Sequence, residues 1–131
     1  MNAPSKPRYW RYEYTHIRVI DGDTIVGDID QGMSVWSRNK GIRFAGINAH
    51  EHNTPDGQAA TQFLNTLIIA GDLCWIVTTA YHEFEKYGRV LAYIYTDPAD
   101  IDYTNLMTNS LNETMVETGH AFPYSGEGPK P

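Results

Sequence analysis

Aromatic and β-branched residues crowd the first part of the chain in runs too short for helices. Tyr9, Trp10, Tyr12 and Tyr14 lead into His16-Ile17-Arg18-Val19-Ile20, which predicts a strand stopping at Asp21-Gly22. Asp-Gly between two such runs is a strong hairpin signal, so Asp23 to Asp30 is predicted to return as a second strand. A turn at Gln31-Gly32 leads into a third strand from Met33 to Ile47, bent near Asn39 to Gly41. At Thr54-Pro55-Asp56 the period changes. Thr54 can accept at a helix N-cap, Pro55 suits the first helical position, and Asp56 suits the positive end of the dipole. Ala59, Ala60, Phe63, Leu64, Leu67 and Ile68 follow at three-and-four spacing as one buried face, and Gly71 ends the helix. Leu73 to Ala80 reads as a fourth strand, His82 to Lys86 as a charged connector, and Gly88 to Tyr95 as a fifth strand closed by Asp97-Pro98. A second helix is predicted from Tyr103 to Thr118, with Met107, Leu111 and Met115 on one side and Gly119 at its end.

The strands come as hairpins and do not alternate with helices, which excludes a doubly wound parallel sheet. The pattern predicts an all-β barrel with helices, in the α+β sense: an OB-fold, a five-stranded Greek-key barrel with a helix after strand 3 and a helix after strand 5. Barrels of this kind commonly bind oligonucleotides, but fold alone does not assign function. With 131 residues the chain can bury roughly two thirds of its unfolded surface around one core. The expected division is a flexible tail over 1–8, one domain over 9–124 and a second flexible tail over 125–131.

Charge and cysteine use narrow the function. A formal charge of −6 argues against nonspecific coating of nucleic acid, which needs a basic surface. The charge is uneven, however: Lys6, Arg8, Arg11 and Arg18 crowd the start, while Asp97, Asp100, Asp102, Glu113, Glu117 and Glu127 dominate the end. An anionic ligand is therefore expected to meet the first two thirds of the chain. Cys74, the single cysteine, sits in an apolar run and reads as a buried small hydrophobe in a reducing compartment. With neither a secretory segment nor a membrane-length apolar run in view, the expected location is cytoplasmic.

Candidate chemistry gathers where the third strand ends. Arg43-Phe44-Ala45-Gly46-Ile47-Asn48-Ala49-His50-Glu51 runs from a guanidinium on a strand into a corner holding an amide, an imidazole and a carboxylate. A guanidinium and a carboxylate on either side of one anionic group suit phosphoryl transfer. Arg43, in a largely apolar strand, needs an anion, either a structural carboxylate or a ligand. Arg89 raises the same question behind Lys86-Tyr87-Gly88. Asp21 and Asp23, two apart in an extended chain, could offer oxygens to one hard cation, although turn chemistry alone also explains them. Asp28 and Asp30 share that spacing and read as a solvated strand face. His50 and His52 could chelate a transition metal, but solvated loop histidines are the commoner case; His16, His82 and His120 carry no motif.

Three blocks in order, Val19-Ile20-Asp21-Gly22-Asp23-Thr24, Ile42 to Glu51, and Lys86-Tyr87-Gly88-Arg89-Val90-Leu91-Ala92-Tyr93-Ile94-Tyr95, closely resemble the signature blocks of the staphylococcal nuclease (thermonuclease) family. The resemblance runs from about Ile17 to Tyr124 and implies an OB barrel and a calcium-dependent endonuclease, a phosphodiesterase that hydrolyses DNA and RNA with little sequence preference. It implies Asp23 as the main carboxylate ligand of the metal, Asp21 beside it, and the carbonyl of Ala49 as a further ligand. Asn48 falls at the family's second acidic ligand position; its neutral oxygen implies weaker calcium binding, or service by magnesium or manganese. Glu51 matches the carboxylate that activates or orients water, and Arg43 and Arg89 match the pair that grips the scissile phosphate. Lys86 and Tyr87 match residues near a terminal phosphate, and Tyr124 approximates a base-stacking tyrosine. A compact bacterial or phage-encoded enzyme is the expectation, and the Ser125–Pro131 ending favours a homodimer or another partner. The rival expectation is a catalytically weak or inactive OB module that binds nucleic acid or a protein.

Overall fold

A computed structural model of the chain describes residues 9–79 and 88–124. Its strands are β1 (Tyr9–Asp21), β2 (Thr24–Asp30), β3 (Trp36–Phe44), β4 (Ile47–Ala49), β5 (Leu73–Thr79), β6 (Val90–Tyr95) and β7 (Ala121–Pro123), with helices α1 (Pro55–Leu67) and α2 (Leu111–Glu117). Five strands close into a barrel in the order β1-β2-β3-β6-β5, and β4 and β7 form a separate two-stranded sheet. Four barrel pairings are antiparallel; β3 and β6 run parallel, with Ile42 opposite Val90 and Phe44 opposite Ala92. The architecture is an OB-like α+β fold. Closing the sheet removes the unpaired edges that an open sheet of this size exposes.

The alternation along each strand decides what fills the barrel. Tyr14, Ile25, Ile42, Phe44, Cys74, Ile76, Ala92 and Ile94 point inward and form its core, and α1 and α2 cap it with Ala60, Leu64 and Met115. The α1 start follows local chemistry: the Thr54 hydroxyl accepts from Gly57 N at 3.0 Å, with Pro55 in the first turn. Ala59 is exposed and does not belong to the buried face, whereas Ala60, Leu64 and Ile68 do. Cys74 is buried, and burial pushes its thiol up to about 11. Among the described residues no helix is long and apolar enough to cross a membrane.

The third strand is shorter than the sequence implied. Met33 and Ser34 have left-handed backbones in the β2–β3 turn, and the strand ends at Phe44. Gly46, at φ 79°, turns the chain so that Ile47–Ala49 leaves the barrel and pairs with β7. β7 was not anticipated from the sequence: three residues carry too little periodicity to signal a strand. The bend does occur near Asn39, where two residues of β3 face Asp28 alone. Asp28 accepts from Asn39 N at 2.9 Å and Arg38 Nη1 at 3.2 Å, so it anchors this bulge and is not merely a solvated strand carboxylate.

The second helix is also shorter, starting at Leu111 and not near Tyr103. Asn109 has φ 66°, and the Ser110 hydroxyl caps the helix by accepting from Glu113 N at 3.0 Å. The preceding segment instead crosses the outside of β5 and β6, where Leu106 packs with Val77 and Tyr95 in a second small core. On the first turn of α2, Asn112 is fully buried. Its amide donates to the carbonyls of Ala45 (2.8 Å) and Ala92 (3.1 Å), and its oxygen accepts from Ile94 N (3.1 Å). Asn112 therefore stitches the end of β3 to β6 where the parallel ladder gives out.

Candidate active site

Asp23 is the hub of the polar corner. It occupies the tight turn between β1 and β2 and is buried. Its Oδ2 accepts from Ala49 N at 2.8 Å and lies 3.3 Å from Arg43 Nη2, and its Oδ1 accepts from the Thr24 hydroxyl at 3.1 Å. Thr24 Oγ1 in turn accepts from Arg89 Nη1 at 3.2 Å. Arg43 donates through Nη1 to the Phe44 carbonyl at 2.9 Å and through Nη2 to the Asn48 side-chain oxygen. Asp23, Thr24, Arg43, Asn48, Ala49 and Arg89 thus form one connected network drawn from the β1–β2 turn, β2, β3, β4 and the residue just before β6.

Two close approaches make the network possible. A Cβ on Gly22 would stand 2.8 Å from the Cβ atoms of both Ala49 and Ala60, so only glycine lets this turn sit against β4 and α1. A Cβ on Gly41 would stand 2.9 Å from Arg89 Cγ; the bare backbone there is what lets the Arg89 side chain lie across β3 toward Thr24.

Asp21 adds a second carboxylate beside the first, its Oδ1 accepting from Asp23 N at 3.1 Å. Burial, followed by the hydrogen bond and negative charge of Asp23, pushes the Asp21 carboxyl up to about 6. The corner therefore holds two carboxylates close together, with an amide oxygen in the same network. Such an all-oxygen set suits a hard divalent cation, which would relieve their repulsion.

The remaining sequence candidates fall in different places. Glu51 is exposed on the loop before α1, with its backbone carbonyl held by Thr54 N at 3.1 Å and the Thr54 hydroxyl at 2.7 Å. Tyr124 is half-buried and donates its backbone N–H to Gly46 O at 2.8 Å, which brings the end of β7 alongside the corner. Lys86 and Tyr87 lie outside the described residues, as do the two tails. The His50 ring meets Phe122 edge-on at 4.6 Å and its Nε2 lies 3.3 Å from Gly119 O, so this imidazole packs β4 on β7. Among the described residues no three His, Cys, Asp or Glu side chains cluster as a metal site. Sequence reasoning missed Thr24, the hydroxyl that links Arg89 to Asp23; its only signal was its place directly after Asp-Gly-Asp.

Fold and corner together define a class: an OB-like α+β barrel that gathers guanidinium and carboxylate groups at one end of its sheet. The family model described as Staphylococcal nuclease homologue matches residues 41–130, and the chain belongs to that family. Its members are typically nuclease hydrolases that act on nucleic acid and generally use calcium. The match begins within β3, so the Asp21–Asp23 turn joins the matched region through the contacts of Asp23 to Ala49 and Arg43 and, by way of Thr24, to Arg89. No curated protein gives a significant match.

Proposed function

We propose that the protein is a metal-dependent nuclease that hydrolyses phosphodiester bonds in DNA or RNA with little sequence specificity. The observation that carries this reading is the convergence of Arg43 and Arg89, from two strands paired in parallel, on one Asp23-centred network. Asp23, Asp21, Asn48 and the Ala49 carbonyl would hold a calcium ion, and magnesium or manganese is the alternative. Once bound, that ion would act as a Lewis acid on a phosphoryl oxygen.

The chain's own residues do the rest. Arg43 and Arg89 bind the phosphate and stabilise the charge that grows on its oxygens. Each guanidinium has five N–H donors, so Arg43 keeps donors for substrate beyond those its Nη1 and Nη2 use within the protein. Glu51 takes a proton onto a carboxylate oxygen as the water oxygen bonds to phosphorus and one ester P–O bond breaks, the departing oxygen keeping the bonding pair and taking a proton from solvent. A positioned base of this kind contributes about 10²–10⁴-fold. Lys86, Tyr87 and Tyr124 complete the substrate-binding set.

A second reading, a nuclease-like module that binds without cutting, draws on one observation: Arg43 is already engaged by Asp23, Asn48 and Phe44 O, and Asn48 brings no charge to the metal site. Cleavage of labelled single-stranded DNA, duplex DNA and RNA with calcium, magnesium or manganese, against a chelator control, separates the two. Hydrolysis that appears with one of these ions and stops on chelation is the expected result. Binding without hydrolysis under all three ions would establish the second reading, and hydrolysis that survives chelation would sink the metal-dependent one.

A further inference from the structure

Glu51 stands on a short bridge between two fixed ends. Upstream, Ala49 is held in β4 by its pairing with Ala121 and by its N–H on Asp23 Oδ2 at 2.8 Å. Downstream, the Glu51 carbonyl accepts from Thr54 N at 3.1 Å and from the Thr54 hydroxyl at 2.7 Å, at the cap of α1. That carbonyl also lies so close to Gly57 that a Cβ there would meet it at 1.7 Å. His50 is the one residue between β4 and Glu51, and it sets the direction in which the chain leaves the sheet.

The His50 side chain is tied down although Glu51 and His52 beside it are exposed. Its ring meets Phe122 edge-on at 4.6 Å, and its Nε2 lies 3.3 Å from the Gly119 carbonyl. A carbonyl only accepts, so Nε2 carries the proton and donates. Gly119 belongs to a closed turn: at φ 80° it ends α2, donating its N–H to Val116 O at 3.0 Å, while His120 N reaches back to Met115 O at 2.9 Å. Asn112 in turn fixes α2 to β6 and to Ala45 just beyond β3. The backbone of Glu51 is therefore braced from α1 through its own carbonyl and from α2 through the imidazole before it.

We propose that His50 is a positioning residue for Glu51: its hydrogen bond to Gly119 and its contact with Phe122 hold the backbone so that the Glu51 carboxylate reaches the attacking water. This rests on the nuclease reading and adds a residue to it. A general base acts only within hydrogen-bond reach of its proton, and a shift of about 1 Å can cost about 10²-fold. An exposed side chain on a loop gets that precision from its backbone. An imidazole whose Nε2 donates to a carbonyl also has no lone pair there for a metal.

The test is steady-state hydrolysis of labelled single-stranded DNA by the full chain, with the ion that supports activity. H50A should lower kcat about tenfold, a fraction of the ~10²–10⁴-fold that a positioned base supplies, with KM and calorimetric affinity for that ion unchanged. H50Q returns an N–H donor at similar reach and should recover most of the loss; H50F returns only the ring against Phe122 and should recover less. In an E51Q background H50A should have no further effect, because no base remains for it to place. In the metal-free protein, hydrogen exchange of the Thr54 amide, which Glu51 O protects, should quicken in H50A and not in H50Q. A kcat in H50A equal to wild type, or the same fractional loss in the E51Q background, would overturn the positioning role while leaving the nuclease reading standing. If H50A does not fold, equal kcat in H50Q and H50F overturns the role of the hydrogen bond. A wild-type chain inactive with calcium, magnesium and manganese would remove the nuclease reading and this role with it.

Discussion

Replacing Asp21 with asparagine should stabilise the metal-free protein at neutral pH. Asn keeps the shape and the Oδ1 that accepts from Asp23 N, but removes the charge crowded against Asp23. The carboxyl rises from 3.8 to about 6, so the folded state holds a proton that the unfolded chain has already released across this window. Stability must therefore fall as pH climbs from 3.8 to about 6 and then remain lowered above it. That gap corresponds to about 3 kcal/mol, and solvent screening of a half-buried group brings the expected gain for D21N to about 1–2 kcal/mol at pH 7. His16 acts in the opposite sense. Burial lowers its pKa, so its contribution is complete above the ordinary value of 6.5 and is lost as pH falls through the folded value. Urea unfolding of wild type and D21N in chelator from about pH 3.5 to 7.5, a range bracketing both ordinary values, isolates Asp21 as the difference at each pH. The difference should be near zero at the acid end and reach its plateau above pH 6. Saturating calcium should then close the gap by stabilising wild type more than D21N. A variant less stable than wild type at pH 7, or a difference that does not vary with pH, would refute the argument that these carboxylates are held together at a cost.

Three further outcomes follow from other contacts. Asn112→Ala should cost about 2–5 kcal/mol by urea unfolding, because Ile94 N and Ala45 O lose their buried partner together; a loss below 1 kcal/mol, the net worth of one ordinary hydrogen bond, would show that water takes its place. Gly57→Ala should destabilise by about 1–3 kcal/mol despite the better helix former, since the new Cβ would meet Glu51 O at 1.7 Å, and equal or greater stability would mean that the Glu51 loop moves aside freely. Glu51→Gln and Arg89→Ala should each lower turnover at least about a hundredfold with an unchanged circular dichroism spectrum, and near-normal turnover in either rejects its assigned role.

Local signals carried the reading of the fold as far as they reach along the chain. Asp-Gly placed the first hairpin and Thr54-Pro55 placed the start of α1, because each acts through hydrogen bonds within a few residues. The 103–118 segment misled because Met107, Leu111 and Met115 keep helical spacing while the first part of that segment is held against β5 and β6 by Leu106. Tertiary packing there outweighs a modest propensity. Site residues were harder still. Arg43 and Arg89 are brought together by parallel pairing of β3 with β6, which leaves no trace in spacing, and only resemblance to a family linked them beforehand. Thr24 and Asn112 had no such signal: each looks like an ordinary polar residue until its partners from distant strands are in view.

Local sequence signals set the five barrel strands, the capped start of α1, the turn at Asp21-Gly22-Asp23 and the stock of guanidinium, amide and carboxylate groups. The closing of the barrel decided that Asp23 is buried against Ala49, that Arg43 reaches both Asp23 and Asn48, and that Arg89 reaches Thr24 across Gly41. The division has a physical cause. Propensity, caps and turns act over a few residues, whereas desolvation and charge depend on which distant strands the closing barrel lays side by side.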